Sequence, residues 1–305
     1  MVIIIGALQN PRLASKTGVI VDQLTDLALA TLAREASCAP EVLRFLLRRY
    51  GATGQSDLEG ALGPGLADAL TTRPWIADPS ETAEWLWLFV EASRLSDDEH
   101  VLDAAMNLAG DLARAWPAER QTPTAAALRA VDVCLLASDV CPHEEDARHF
   151  ITAAIDELER VVVPLYRPGE GIGRERSDHV AAASALLAAY ERTGRLPYSM
   201  LAEELMRFVL LTWPAAREPL VVSSRAIPVF GRLAELQEDP AYLEAAMPAP
   251  GVSYAHEAEA LVEALADGDD VLGDISTAME YGLALCDWLS HERLEAGGWR
   301  LGAGG

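Results

Sequence analysis

The chain has 305 residues, half of them hydrophobic, which is ample for a large core in one large domain or two ordinary ones. Acidic residues outnumber basic ones 47 to 24, a net charge of −23, and such a field repels phosphate, so nucleic acid is excluded as a partner. No stretch reaches the roughly 18 apolar residues of a membrane span, and four cysteines without a CxxC pair make neither a disulfide framework nor a zinc site. No membrane, metal or cofactor is therefore expected, and a reducing cytoplasm fits.

Residues 1–17 read as an extended N-terminal segment. Met1 to Gly6 is apolar but too short for a signal peptide. A helix follows from about Val19 to Ala36, and a second from Glu41 to Tyr50 through Val42, Leu43, Phe45 and Leu46. Leu58 to Leu70 reads as a weaker helix, interrupted at Gly63-Pro64-Gly65. The next helix starts at Pro79-Ser80-Glu81, with Ser80 as N-cap, and carries Trp85, Leu88, Phe89 and Ala92 along one side. Trp85 and Trp87 straddle it, so they point in different directions. Asp97-Asp98-Glu99 turns the chain into Val101 to Trp116. Helices to about Ser138 and from Glu144 to Leu165 follow.

A glycine-rich loop, Gly169 to His179, then leads into two helices that read as one antiparallel hairpin, Asp178 to Pro214. Gly194 takes the left-handed position after the first helix, and Pro197 stops its continuation. Beyond it, Glu218 to Val222 reads as extended, with Ser223-Ser224 capping a helix through Ile227 to Leu233. A short helix starts at Asp239-Pro240. Helices from Ala255 to Leu265 and Val271 to Leu289 complete the domain, residues 18–292. The tail, 293–305, is glycine-rich. Cys134 and Cys286 sit in apolar helical stretches and read as core residues.

The pattern repeats. Trp116-Pro117 and Trp213-Pro214 lie 97 positions apart, and at that offset Ala92 meets Ala189, Ala105 meets Ala202 and Leu108 meets Leu205. A fixed offset is the mark of stacked hairpins, each burying its apolar face on its neighbours. The fold class is all-α, built from repeated antiparallel helical hairpins.

The stretches Asp178 to Pro214 and Ser223 to Leu265 resemble the hairpins of six-hairpin (α/α) toroids. Their shared pattern is a first helix of small and apolar residues, a turn such as Glu191 to Gly194 or Leu236 to Asp239, and a second helix with Tyr198 or Tyr242 near its start. The helix Glu280 to Trp288 is similar to the closing helix of those proteins. The named relatives are the toroid portion of spermatogenesis-associated, thioredoxin-plus-toroid proteins and, more loosely, the N-acylglucosamine 2-epimerase-like group. The resemblance implies a toroid, complete or incomplete, whose even-numbered helices line a central cavity where sugar-active relatives place acids, histidines and aromatics. The chain lacks the thioredoxin domain and the CxxC, and no catalytic residue matches by motif.

Two clusters could carry chemistry. Glu170, Asp178 and His179 form the catalytic candidate, an acid beside a histidine at a helix start, with Arg174 and Arg176 in the same loop as ligand contacts. Tyr254, His256 and Glu257 form a second cluster at a helix start, and Trp85 is a stacking surface for a sugar ring. The expected function is binding or processing of a small carbohydrate-like ligand in a central cavity. The alternative is a non-catalytic scaffold of the same fold, with a protein partner or a second copy of the chain. A third reading, a terpene-synthase-like enzyme, draws on Asp97-Asp98-Glu99 and Asp269-Asp270 as magnesium ligands, but Gly273 stands where its second motif needs a hydroxyl.

Overall fold

A computed structural model describes residues 11–34, 39–72, 79–116, 124–173, 175–212, 220–246, 251–267 and 274–297. Thirteen helices and one two-stranded hairpin lie in these residues. They are α1 (Pro11–Arg34), α2 (Pro40–Thr53), α3 (Ser56–Thr72), α4 (Pro79–Ser93), α5 (Glu99–Ala115), α6 (Thr124–Ala137) and α7 (Glu144–Leu165). Then come β1 (Tyr166–Arg167), β2 (Gly171–Ile172), α8 (Arg176–Thr193), α9 (Leu196–Thr212), α10 (Leu220–Glu238), α11 (Pro240–Ala245), α12 (Tyr254–Ala266) and α13 (Ile275–Gly297). No described helix is long and apolar enough to cross a membrane.

Six helices close an inner ring. Each packs on the next in the order α2, α4, α6, α8, α10, α13, and α13 returns to α2. An outer layer backs it: α3 lies on α2, α5 on α4, α7 on α6, α9 on α8 and α12 on α10, while α1 packs against both α13 and α2. The ring is thus complete, and its last hairpin is made from the two ends of the described chain. The extra short helix α11 shifts the count, so the sixth inner helix is the thirteenth in sequence rather than an even-numbered one.

The division into layers follows from the side chains. Helix α8 buries residues on every side, among them Val180, Ala182, Ala185, Leu186 and Ala189. An apolar helix with no polar face has to be enclosed. Helix α5, by contrast, buries one stripe, Val101, Ala104, Ala105, Ala109 and Leu112, as an outer helix should. The repeat is real in three dimensions. Helices α5 and α9 start and end 97 positions apart, and both are outer partners, of α4 and α8. The matched pairs Ala105 with Ala202 and Leu108 with Leu205 stand on them; Pro117, Trp213 and Pro214 lie outside the described residues.

Several local expectations need correction. Helix α1 begins at Pro11, not near Val19, so the extended segment expected over 1–17 does not reach its far end. Helix α3 runs unbroken through Pro64. Gly65 lets it sit against α2, where a Cβ would stand 2.7 Å from Leu43 Cδ2, and this packing outweighs the breaker residues. Leu220 to Val222 is helical rather than extended, and Ser224 lies inside α10 with its hydroxyl donating to the Leu220 carbonyl at 2.7 Å. Ser80 falls inside α4 rather than capping it, since the helix already includes Pro79. Gly194 does cap α8 in the left-handed conformation, φ 64°, its N–H donating to Tyr190 O at 2.7 Å. Cys134 and Cys286 are both buried, as core residues should be.

Candidate functional site

The inner helices run parallel, because their like ends meet. Glu41, Glu84 and Glu280, from the first two turns of α2, α4 and α13, bring carboxylate oxygens within 4.8 Å of one another. At the other end Arg94 after α4, Asp139 after α6 and Arg192 in the last turn of α8 form one ion-paired group. The ring encloses a cavity of about 290 Å³ whose wall takes residues from all six inner helices.

One side of that wall is small and the other is large. Helix α8 presents Ser177, Ala181, Ser184 and Ala188 to the cavity, a stripe at helical spacing that leaves room beside it. From α2 and α4 come Arg44, Arg48 and Trp87. The Arg44 guanidinium lies 4.5 Å from the centre of the Trp87 ring, and that of Arg129 lies 5.6 Å from it. The indole therefore serves first as a cation–π platform that orients two arginines.

Arginine and carboxylate alternate through the middle of the ring. Arg225 reaches Glu280 at 2.9 Å, Glu280 meets Arg129 at 3.3 Å, and Arg129 also pairs with Glu84. Glu84 meets Arg44 at 3.3 Å, Arg44 meets Glu91 at 3.5 Å, Glu91 meets Arg48 at 2.8 Å, and Arg48 meets Asp287 at 2.6 Å. Helices α6 and α13 face each other across the ring, so the Arg129–Glu280 contact bridges its axis. Burial pushes Glu280 and Glu91 up, but their arginines outweigh it and hold both below the usual carboxylate range. Burial also raises Glu41, and Glu84 and Glu280 beside it add to the effect. The three glutamates are close enough to share a cation, but arginines already neutralise Glu84 and Glu280.

Asp132 differs from the other lining acids. It is buried on α6, accepts a hydrogen bond from Ser184 Oγ at 2.5 Å, and makes no ion pair among the described residues within 4 Å. Arg232 approaches the same serine, donating to its carbonyl at 3.2 Å and to its hydroxyl at 3.4 Å. Burial pushes the Asp132 pKa up, partly offset by Arg232 and the Ser184 hydrogen bond.

The residues expected from the sequence lie elsewhere. His179 is buried: its Nε2 accepts the Ile172 N–H at 3.2 Å, its Nδ1 donates to Glu175 O at 2.8 Å, and its ring stacks on Phe208 at 5.2 Å. It pins the β1–β2 hairpin onto α8 and α9, with the proton on Nδ1. The glycine-rich loop is accordingly a built turn. Gly171 has φ 78°, and an added Cβ would run into the His179 ring, so glycine is required there. Glu170 is exposed at the hairpin tip, and Asp178 is half-buried beside Gly173, with burial and then Glu175 raising its pKa. Arg176 is buried, and Arg174 lies outside the described residues. Tyr254 is buried, stacks on Phe230 at 6.0 Å and donates to the Glu203 carbonyl at 3.5 Å. His256 is exposed near the Ser253 cap of α12, and Glu257 is half-buried. Trp85 is core, stacked on Phe89 at 6.1 Å. None of these is among the described residues lining the cavity. Trp87, two positions on, is the tryptophan that faces it. Asp98 caps exposed α5 through the His100 N–H at 2.9 Å, so the magnesium reading loses its first motif to an outer helix end.

No protein-family model and no curated protein matches the chain. Solved structures do. An unsaturated glucuronyl hydrolase specific for heparin aligns with a TM-score of 0.67 at 12% identity, over 93% of this chain and 98% of that one. An inactive variant of the α-1,6-mannanase GH76A of Salegentibacter sp. HEL1_6, in complex with α-1,6-mannotetrose, aligns with a TM-score of 0.68 at 12% identity, over 90% of this chain and 99% of that one. These likenesses support the toroid and do not reach the spermatogenesis-associated or epimerase-like groups. At such identity they speak for architecture alone: the chain is an (α/α) toroid, similar in fold to toroid glycosidases.

Proposed function

We propose that the central cavity binds a small carbohydrate-like ligand, lodged against the Ser177–Ala188 stripe of α8 and held by Asp132, Ser184 and Arg232. The observation that carries this reading is Asp132, a buried acid open to the cavity and free of any ion pair among the described residues, beside a hydroxyl and a guanidinium. Such a set of donors and acceptors suits a polyol, and the volume suits one or two rings at the small end of the roughly 300–1,000 Å³ of ligand pockets. The sugar-processing neighbours of the same architecture support it. Two-carboxylate hydrolysis needs a pair roughly 5–10 Å apart and free to act. Here Glu191, Glu280 and Asp287, the other described lining acids, are each held by arginine. Binding is therefore the activity proposed.

Calorimetry or saturation-transfer NMR against neutral mono- and disaccharides tests it. Asp132→Asn is expected to weaken binding at least about tenfold, the value of a charge-assisted hydrogen bond. The same variant should be more stable at pH 7. The folded-state pKa of Asp132 is raised, so between its unfolded value of 3.8 and its folded value the native state holds more protons, and stability falls as pH rises. Asparagine removes that loss, and its gain in Tm should disappear below about pH 4. Unchanged sugar affinity in this variant, or no binding by the wild type, would sink the reading.

The scaffold alternative rests on the Arg129–Glu280 bridge across the ring axis, which ties opposite helices together whether or not a ligand is present.

A further inference from the structure

At the C-terminal mouth of the inner ring, two arginines share one carboxylate oxygen. Arg94, just past α4, meets Asp139 Oδ2 at 3.1 Å, and Arg192, in the last turn of α8, contacts the same oxygen. Asp139 follows α6, so the ends of three consecutive inner helices converge here. One carboxylate neutralises one guanidinium, and a positive charge is left over. The neighbouring Arg232 adds none, because it pairs with Glu191 at 2.8 Å. Arg192 is also fixed in place by its Nε donating to Leu135 O at 3.3 Å.

Both arginines line the cavity and keep 40% and 21% of their side-chain surface exposed. In a chain of net charge −23, seven of the 24 basic residues line this one cavity, against four described acids, Asp132, Glu191, Glu280 and Asp287. Surface acids elsewhere repel an anion, so a local cationic excess at the cavity mouth is where an anionic group would be received. Guanidinium is also the group that suits it, since its planar fork pairs with two oxygens of a carboxylate, sulfate or phosphate.

We infer that Arg94 and Arg192 bind an oxyanion carried by the ligand, so that the cavity takes an acidic sugar in preference to a neutral one. This rests on reading the cavity as a ligand site. The competing use of the two arginines is to offset the negative ends of the inner helices, a role that is complete without a ligand.

The two uses predict different outcomes in calorimetry at low salt with glucose, glucuronate, glucose 6-sulfate and glucose 6-phosphate. At least one of the three acidic sugars should bind wild type about tenfold or more tighter than glucose, and the tightest of them identifies the oxyanion. Arg94→Gln with Arg192→Gln should abolish that preference and leave glucose binding in place. Asp139→Asn is the second arm. It removes the competing carboxylate, so it should tighten the acidic sugar, an effect that a purely structural role would not produce. Circular dichroism confirms that each variant is folded. Equal binding of glucose and all three acidic sugars, with glucose binding still sensitive to Asp132→Asn, overturns this inference alone. Failure of every sugar to bind the wild type overturns it together with the cavity reading.

Discussion

Glu280→Ala is expected to lower folding stability by about 3–5 kcal/mol at neutral pH, the cost of breaking a buried ion pair from one side. Glu280 is buried on α13 and is shared by Arg225 at 2.9 Å and Arg129 at 3.3 Å. Arg129 retains Glu84, but Arg225 loses the only carboxylate it contacts among the described residues. The loss also cuts the contact that spans the ring axis from α6 to α13. The intact pair need not be a net stabiliser, because desolvating both charges offsets most of their attraction. Removing Glu280 is costly for a different reason, since buried Arg129 is left with Glu84 alone and half-buried Arg225 with no carboxylate among the described residues.

The pH dependence has a definite sign. Burial raises the Glu280 pKa but Arg129 and Arg225 more than reverse this, so the folded value lies below the unfolded 4.5. Its stabilising contribution is complete above the unfolded value and is lost as pH falls through the folded one. The gap between wild type and variant, read as a shift in urea midpoint at constant slope, should therefore narrow below about pH 4. A loss under about 1 kcal/mol at pH 7 would show that the network is dispensable.

Gly282→Val should cost about 3 kcal/mol, at the upper end for overpacking. Gly282 lies on α13 where the ring closes against α2. A Cβ there would stand 2.6 Å from Phe45 Cε2 and 2.8 Å from Cδ2. Phe45 is fully buried, so its ring has nowhere to move. Replacing a mid-helix glycine by alanine ordinarily gains about 1 kcal/mol. Here even Gly282→Ala should lose stability, because the clash exceeds that gain. Phe45→Leu should rescue Gly282→Val in part, and a double-mutant cycle reads the coupling directly. If valine at 282 is tolerated without Phe45→Leu, the seam between the first and last inner helices is looser than these distances imply.

Local rules carried the helices but not the pocket. In the glycine-rich loop an acid, a histidine and arginines lie close together in sequence, and that closeness serves to fasten a hairpin. His179 spends both ring nitrogens on backbone within seven residues of itself. Tyr254 and Trp85 are large aromatics, and large aromatics are what a core uses. The cavity residues carry weaker local signals. Arg129 sits singly among the apolar residues of α6, Arg44 and Arg225 share α2 and α10 with other arginines, and the Ser177–Ala188 stripe looks like ordinary helix filler. Two signs are nevertheless present: Arg129 and Asp132 set into the otherwise apolar α6, and a face of small residues on the enclosed α8.

What the sequence determined by itself is the hairpin architecture. Helical periodicity, the Gly194 cap and the 97-residue offset are local or translational patterns, and burying an apolar face leaves few alternatives once they are set. Only the tertiary structure decided that the ring closes, which of Trp85 and Trp87 faces inward, and which cavity-lining acid makes no ion pair among the described residues. The reason is geometric. Asp132, Ser184 and Arg232 stand on three different helices, tens of residues apart, and their meeting depends on how six parallel helices are turned about their axes, a quantity no single helix encodes.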